Sequence, residues 1–175
     1  MAKKTEADAA PQEPIDAITL LKMDHRVVDG LFDDFDKARG SERKAKIVQK
    51  ICDELKIHTV IEEEIFYPAV RREIDPAIVD EGVVEHDGAK VLINDLARAK
   101  PADKYYDAKV KVLAEEIRHH VQEEEKWLRG MFAQARRTDI DMEKLGAKLA
   151  ARKSELQAIA VAGKLPAAIT SAVKL

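Results

Sequence analysis

Cysteine, glycine, proline and aromatic residues are all scarce in this chain of 175 residues. The lone cysteine, Cys52, excludes an internal disulfide and any CxxC zinc or redox motif. Aromatics at 5%, with 7 glycines and 6 prolines, argue against a turn-rich β-sandwich or barrel. Charge of one sign is also lacking: 30 Lys+Arg stand against 33 Asp+Glu, a formal net charge of -3. Such a surface has no dominant field to draw in nucleic acid or an anionic membrane. The opening MAKKTEADAAPQEP has no apolar core, so it reads as neither signal peptide nor membrane anchor, and a cytoplasmic location is expected. No strand pattern, internal repeat or glycine-rich phosphate loop occurs, which removes the nucleotide-binding and α/β-hydrolase classes. What remains is 46% hydrophobic and 36% charged, the make-up of one soluble globular domain with a heavily solvated surface.

The apolar period is helical almost throughout. Residues 1–14 are polar and aperiodic and read as a disordered lead-in. A first helix is expected from Asp16, its N-cap, to Arg39, with Gly40 as the stop. Ser41 then caps a second helix reaching about Arg72, with Pro68 weakening or kinking its last turns by removing a backbone donor. Asp75-Pro76 opens a third helix to Ala99, Pro101 breaks the chain, and a fourth runs from Asp103 to Arg136. Past Asp141 a fifth helix has Leu145, Leu149, Leu156 and Ile159 on its apolar side, followed by an Ala-rich tail interrupted by Pro166. The expected fold is all-α: an antiparallel four-helix bundle over residues 15–138, with a C-terminal helix and tail over 139–175.

The inward stripes carry the information. They read Leu21, His25, Val28, Phe32, Phe35; then Val48, Ile51, Leu55, His58, Glu62, Ile65, Ala69; then Val79, Val83, His86, Ile93, Leu96; then Val110, Leu113, Ile117, His120, Glu124, Trp127, Met131. Each helix places one histidine on its seam, and two add a glutamate one turn later. A lone buried histidine is usually a hydrogen-bonded core residue. Four landing inward by chance, at two or three seam positions in seven, is on the order of one in a hundred. Their depths agree, since His25 and His58 lie about 22 and 27 Å from the turn at Gly40 at helical rise. Burying Glu62 and Glu124 without a cation would cost several kcal/mol each. Four imidazoles and two carboxylates can hold two metal ions, and this mixed nitrogen and oxygen set suits iron first, then manganese or zinc.

His119 and Glu123 also form an HxxxE pair. Position 119 shares its face with Val112, Glu116 and Lys126, whereas 120 continues the apolar seam, so His120 is taken as the ligand. The remaining glutamates of the runs Glu62-Glu63-Glu64 and Glu123-Glu124-Glu125 read as solvated. Tyr67, nine positions past His58, points away from the seam. Cys52 reads as small core filling.

These segments, DHRVVDGLF around His25, HTVIEEEIFYP from His58, EHD around His86 and HHVQEEEKWL around His120, resemble the hemerythrin-like HHE cation-binding proteins over residues 16–136. The stretch EKLGAKLAARKSEL is similar to the end of some bacterial members. The resemblance implies that His25, His58, Glu62, His86, His120 and Glu124 bind a non-haem di-iron centre, with the glutamates bridging beside an oxo or hydroxo group. Oxygen-carrying hemerythrins have two histidines four apart on the third helix. Here the positions flanking His86 are Gly82 and Lys90, so one iron is expected to have an open position, with room beside Gly82.

The expected function is therefore binding or reduction of a small oxidant (oxygen, nitric oxide or hydrogen peroxide) in oxidative or nitrosative stress, with a possible electron donor and catalase-like chemistry among the options. Leu21, Val83 and Ile117 are expected to limit access to small molecules. Iron storage or delivery, iron–sulfur cluster repair, and a metal-free partner-binding bundle are the alternatives. Members that repair clusters usually add a cysteine-containing N-terminal domain, for which this sequence has no counterpart.

Overall fold

Capping side chains mark where most helices begin. In a computed structural model that describes residues 15–174, Asp16 accepts from Thr19 N at 3.0 Å and opens α1 (Ala17–Lys37). The expected lead-in over 1–14, and Leu175, lie outside the described residues. After the turn, α2 (Ser41–Ile61) passes without interruption into a π-turn (Glu62–Phe66) and α3 (Tyr67–Val70). Asp75 caps Ala77 N at 3.0 Å and, with Pro76 in the first position, opens α4 (Pro76–Leu96). Next come α5 (Tyr106–Glu125), α6 (Met131–Ala135) and α7 (Met142–Val161), the last capped by Asp141 on Lys144 N at 2.9 Å. No strand occurs among the described residues.

The expected boundaries shift in three places. The first helix ends at Lys37, two residues early, and Gly40 at φ 85° stands before α2, so Ser41 is helical and makes no capping bond. The expected fourth helix stops at Glu125 instead of Arg136. Lys126 turns extended, Leu128 adopts φ 68°, and the chain folds back so closely that a Cβ on Gly130 would sit 2.6 Å from Glu124 O. Trp127 consequently leaves the seam and is 82% exposed. The third correction is the π-turn. It inserts one residue into the helical count, a phase shift of about 100°. Past it Phe66, Tyr67 and Val70 are buried, and the expected seam residues Ile65 and Ala69 are only half-buried. Pro68 supplies the cause, since a proline ring in a regular helix collides with the carbonyl four residues back and a wider turn relieves it.

α1, α2, α4 and α5 pack in a ring, α1 against α2 and α5, α4 against the same two, and short connections make neighbours antiparallel. Their buried side chains form two apolar clusters. One holds Phe32, Phe35, Ile51, Leu55, Ile93 and Leu113 toward the Gly40 end. The other holds Leu21, Ile61, Phe66, Val79, Met131 and Leu149 toward the opposite end, where α7 joins. Each such side chain contributes roughly 1.5–3 kcal/mol when fully buried. Between the clusters lies a polar layer.

α7 lies on α1, α2 and the π-turn. Leu145, Leu149 and Leu156 face inward, while Ile159, expected with them, is 37% exposed. Gly146 is required at the crossing: a Cβ there would come within 2.2 Å of Ile15 O. The segment after Gly163 runs back along α4. Asn94 receives Ala168 N at 2.8 Å and donates to Ala168 O at 2.7 Å. Three successive backbone N–H groups, of Ser171, Ala172 and Val173, then close on the buried Asp87 carboxylate at 2.6–3.0 Å. Burial raises the Asp87 pKa, but these donors and Lys90 outweigh it and hold the carboxyl at about 2. A depressed carboxylate stabilises the fold above its ordinary pKa and loses that contribution only as pH falls toward about 2. Asp87→Asn should therefore lower stability by about 2 kcal/mol near neutral pH. It should also speed amide exchange at 171–173, measured by denaturant unfolding and hydrogen exchange; unchanged exchange there would show that the carboxylate does not anchor the tail.

Candidate metal centre

All six residues singled out on the seams meet in the polar layer. His25, His58, Glu62 and Glu124 form one group of converging donor atoms, and Glu62, His86 and His120 form a second. Every one is at most 5% exposed. The imidazoles pair by Nε2: His25 to His58 at 3.2 Å, His86 to His120 at 3.1 Å. Two nitrogens about 2.1 Å from one ion, at an angle near 100°, stand about 3.2 Å apart, so each pair is spaced as ligands of one metal. The glutamates lie between the pairs. Glu62 Oε2 is 3.1 Å from His58 Nε2 and 3.3 Å from His86 Nε2, and Glu124 Oε2 is 3.4 Å from His25 Nε2 and 3.6 Å from His120 Nε2.

The opposite ring nitrogens fix the imidazoles. His25 Nδ1 meets Glu125 Oε1 at 2.8 Å, His86 Nδ1 meets Glu63 Oε1 at 2.9 Å, and His120 Nδ1 meets Glu85 Oε2 at 2.7 Å. His58 Nδ1 faces Asp24 Oδ2 at 3.7 Å, and Lys153 of α7 bonds to Asp24 in turn. An ionised carboxylate only accepts, so Nδ1 carries the proton and Nε2 presents its lone pair to the layer. Glu63 and Glu125 thus correct the expectation that the extra acids of the two runs are solvated. Each orients a histidine and is itself neutralised, Glu63 by Lys90 at 2.7 Å and Glu125 by Arg26 at 2.5 Å. Glu85 and Asp24 carried no distinguishing signal in a sequence dense with acids, beyond lying one residue before a seam histidine.

Tyr67 is the larger correction. The π-turn swings it inward, where it is 3% exposed, its ring stacked on His86 at 5.4 Å. Its hydroxyl donates to Glu124 Oε1 at 3.1 Å and lies 3.3 Å from His86 Nε2. Burial and the neighbouring Glu124 and Glu62 charges push its pKa well above the ordinary phenol value. A Cβ on Gly82 would stand 2.9 Å from this hydroxyl. The space beside Gly82, expected to be open, is filled by the phenol, which offers the His86–His120 pair a further oxygen donor.

The electrostatics ask for a cation. Both oxygens of Glu62, and Oε2 of Glu124, accept no well-formed hydrogen bond among the described residues. Burial disfavours the Glu62 charge, yet His58 and His86 hold its pKa well below the carboxylate range. The same contacts work on the bases: burial lowers His58, but Glu62 and Asp24 lift it to about 10, and carboxylates likewise lift His86 to about 9. Two divalent ions would satisfy these oxygens and displace those protons, so the donor set fits a metal pair. His119, by contrast, has a 64% exposed side chain, 3.6 Å from Glu85. His120→Ala should empty at least one metal position and His119→Ala none, read as bound metal per chain; equal loss in both would overturn the assignment of position 120.

The sequence matches the hemerythrin HHE cation-binding domain over residues 16–132. A solved structure of a hemerythrin HHE cation-binding domain-containing protein from Mycobacterium kansasii superposes with a TM-score of 0.71 at 24% identity, covering 85% of this chain and 91% of that one. A DNA nickase of Nostoc sp. is 26% identical over 140 residues, 79% of this chain but only 39% of that protein. With the family match spanning most of its length and the histidine–glutamate layer in place, the chain belongs to the hemerythrin HHE cation-binding domain family.

Proposed function

We propose that this chain is a non-haem di-iron protein that binds or reduces a small oxidant, oxygen, nitric oxide or hydrogen peroxide, in the cytoplasm under oxidative or nitrosative stress. The observation that carries this reading is the position of Glu62 and Glu124, each touching one histidine of either pair, as carboxylates shared by two ions do. Bound there, an iron pair supplies two adjacent redox-active Lewis acids open to small ligands.

The chain's own residues do the rest. His25 with His58, and His86 with His120, bind, and Glu125, Asp24, Glu63 and Glu85 hold their rings in place. The Tyr67 hydroxyl keeps a proton against Glu124 Oε1 or yields its oxygen to the ion at His86 and His120. The apolar clusters above and below the layer exclude bulk water, which strengthens every charge interaction inside it. Storage or delivery of iron would want ions able to leave, and this layer is sealed on both sides. No helix among the described residues is long and apolar enough to cross a membrane, in line with a cytoplasmic role.

Metal analysis of the aerobically purified protein, together with its absorption spectrum, tests the reading. The expected result is two irons per chain with near-ultraviolet bands of an oxo-bridged ferric pair. Tyr67→Phe should keep the metal and alter the visible absorption. Absence of metal, with none taken up on anaerobic addition of ferrous iron, would overturn the proposal.

A further inference from the structure

Between α1 and α5 the bundle contains a cavity of about 310 Å³ whose inner wall is the His25 imidazole. Phe32, Ile117 and Val121 form its apolar sides. Of the walls expected from the sequence to limit access, Ile117 lines this cavity, whereas Leu21 and Val83 do not. At its rim stand Arg26 and Arg118, both engaged by carboxylates: Arg26 with Glu125 at 2.5 Å, Arg118 with Asp29 at 2.7 Å and Asp33 at 3.0 Å. The mouth is charged yet locally neutral, so an anion gains little by entering and an uncharged molecule loses little.

The position of this cavity matters because the two ends of the metal layer differ. On the His86–His120 side, Tyr67 fills the space beside Gly82 and adds an oxygen donor. On the His25–His58 side no such phenol stands among the described residues, and the cavity approaches the ring of His25 instead. Phe132 stacks on His25 at 5.7 Å with planes 11° apart, covering the ring on the side toward α6. The approach left to a ligand is the gap bounded by Phe32, Ile117 and Val121.

We propose that this cavity is a binding site for a small, uncharged, weakly polar diatomic, and that such a ligand reaches the metal layer from the His25 side. The inference rests on the di-iron reading for its destination, but the site itself is defined by protein side chains alone. A dry apolar cavity of this kind takes up xenon, so it can be detected without reference to any reaction.

The test combines xenon-pressurised crystals of the metal-loaded protein with stopped-flow binding of nitric oxide to the anaerobically reduced form, for wild type, Val121→Trp and Ile117→Ala. Xenon should bind beside Phe32, Ile117 and Val121 in the wild type. Val121→Trp should remove that xenon and slow nitric oxide binding by about tenfold or more, because a close-packed interior leaves a diatomic no room where the indole sits. Ile117→Ala should keep the xenon and bind nitric oxide faster, a change opposite in sign to damage from misfolding. No xenon in the wild-type cavity overturns the site. Xenon displaced with an unchanged rate overturns the route. Metal content measured on the same samples separates the claims: loaded protein with equal rates in all three sinks the route alone, and protein that takes up no metal sinks the di-iron reading together with it.

Discussion

The cost of withdrawing Glu62 and Glu124 from water governs this molecule. Two carboxylates and four imidazoles fill one layer of a helical bundle, with apolar clusters on either side and oxygen atoms left without hydrogen-bond donors. An apolar core of the same volume would be easier to fold. The layer is therefore intelligible only with cations in it, and much of the surrounding architecture serves to present those six side chains at one depth.

Beyond the six, each histidine is tied through its outer nitrogen to a carboxylate, and those carboxylates are tied to the rest of the chain. Glu125 meets Arg26, Glu63 meets Lys90, and Asp24 meets Lys153 on α7. Lys90 also bonds to Asp87, the residue that receives three backbone donors from the tail. The C-terminal helix and tail are thus connected to His58 and His86 by chains of two or three polar contacts. Such supports orient metal-binding imidazoles and raise their basicity.

The four-helix architecture and the six converging side chains were legible in the sequence because helical periodicity is strict, and histidine and glutamate on an apolar stripe break the pattern visibly. What escaped had a definite cause in each case. Tyr67 was misplaced because periodicity assumes a regular helix, and the π-turn ahead of Pro68 shifts everything after it by one residue. The space beside Gly82 was misread for the same reason, since the residue that fills it was thought to face outward. Trp127 was put on the seam because nothing before Gly130 announces the break after Glu125. Glu63 and Glu125 were dismissed because a carboxylate half a turn off the seam looks solvated until its partner on the facing helix is known.

The most direct test of the central claim is anomalous diffraction at the iron absorption edge from a crystal of the purified protein. The account predicts two peaks in the polar layer, one between His25 and His58 and one between His86 and His120, with Glu62 and Glu124 reaching both. A layer without anomalous density, in protein grown and reconstituted with iron, would contradict it, and the two buried glutamates would then need another explanation.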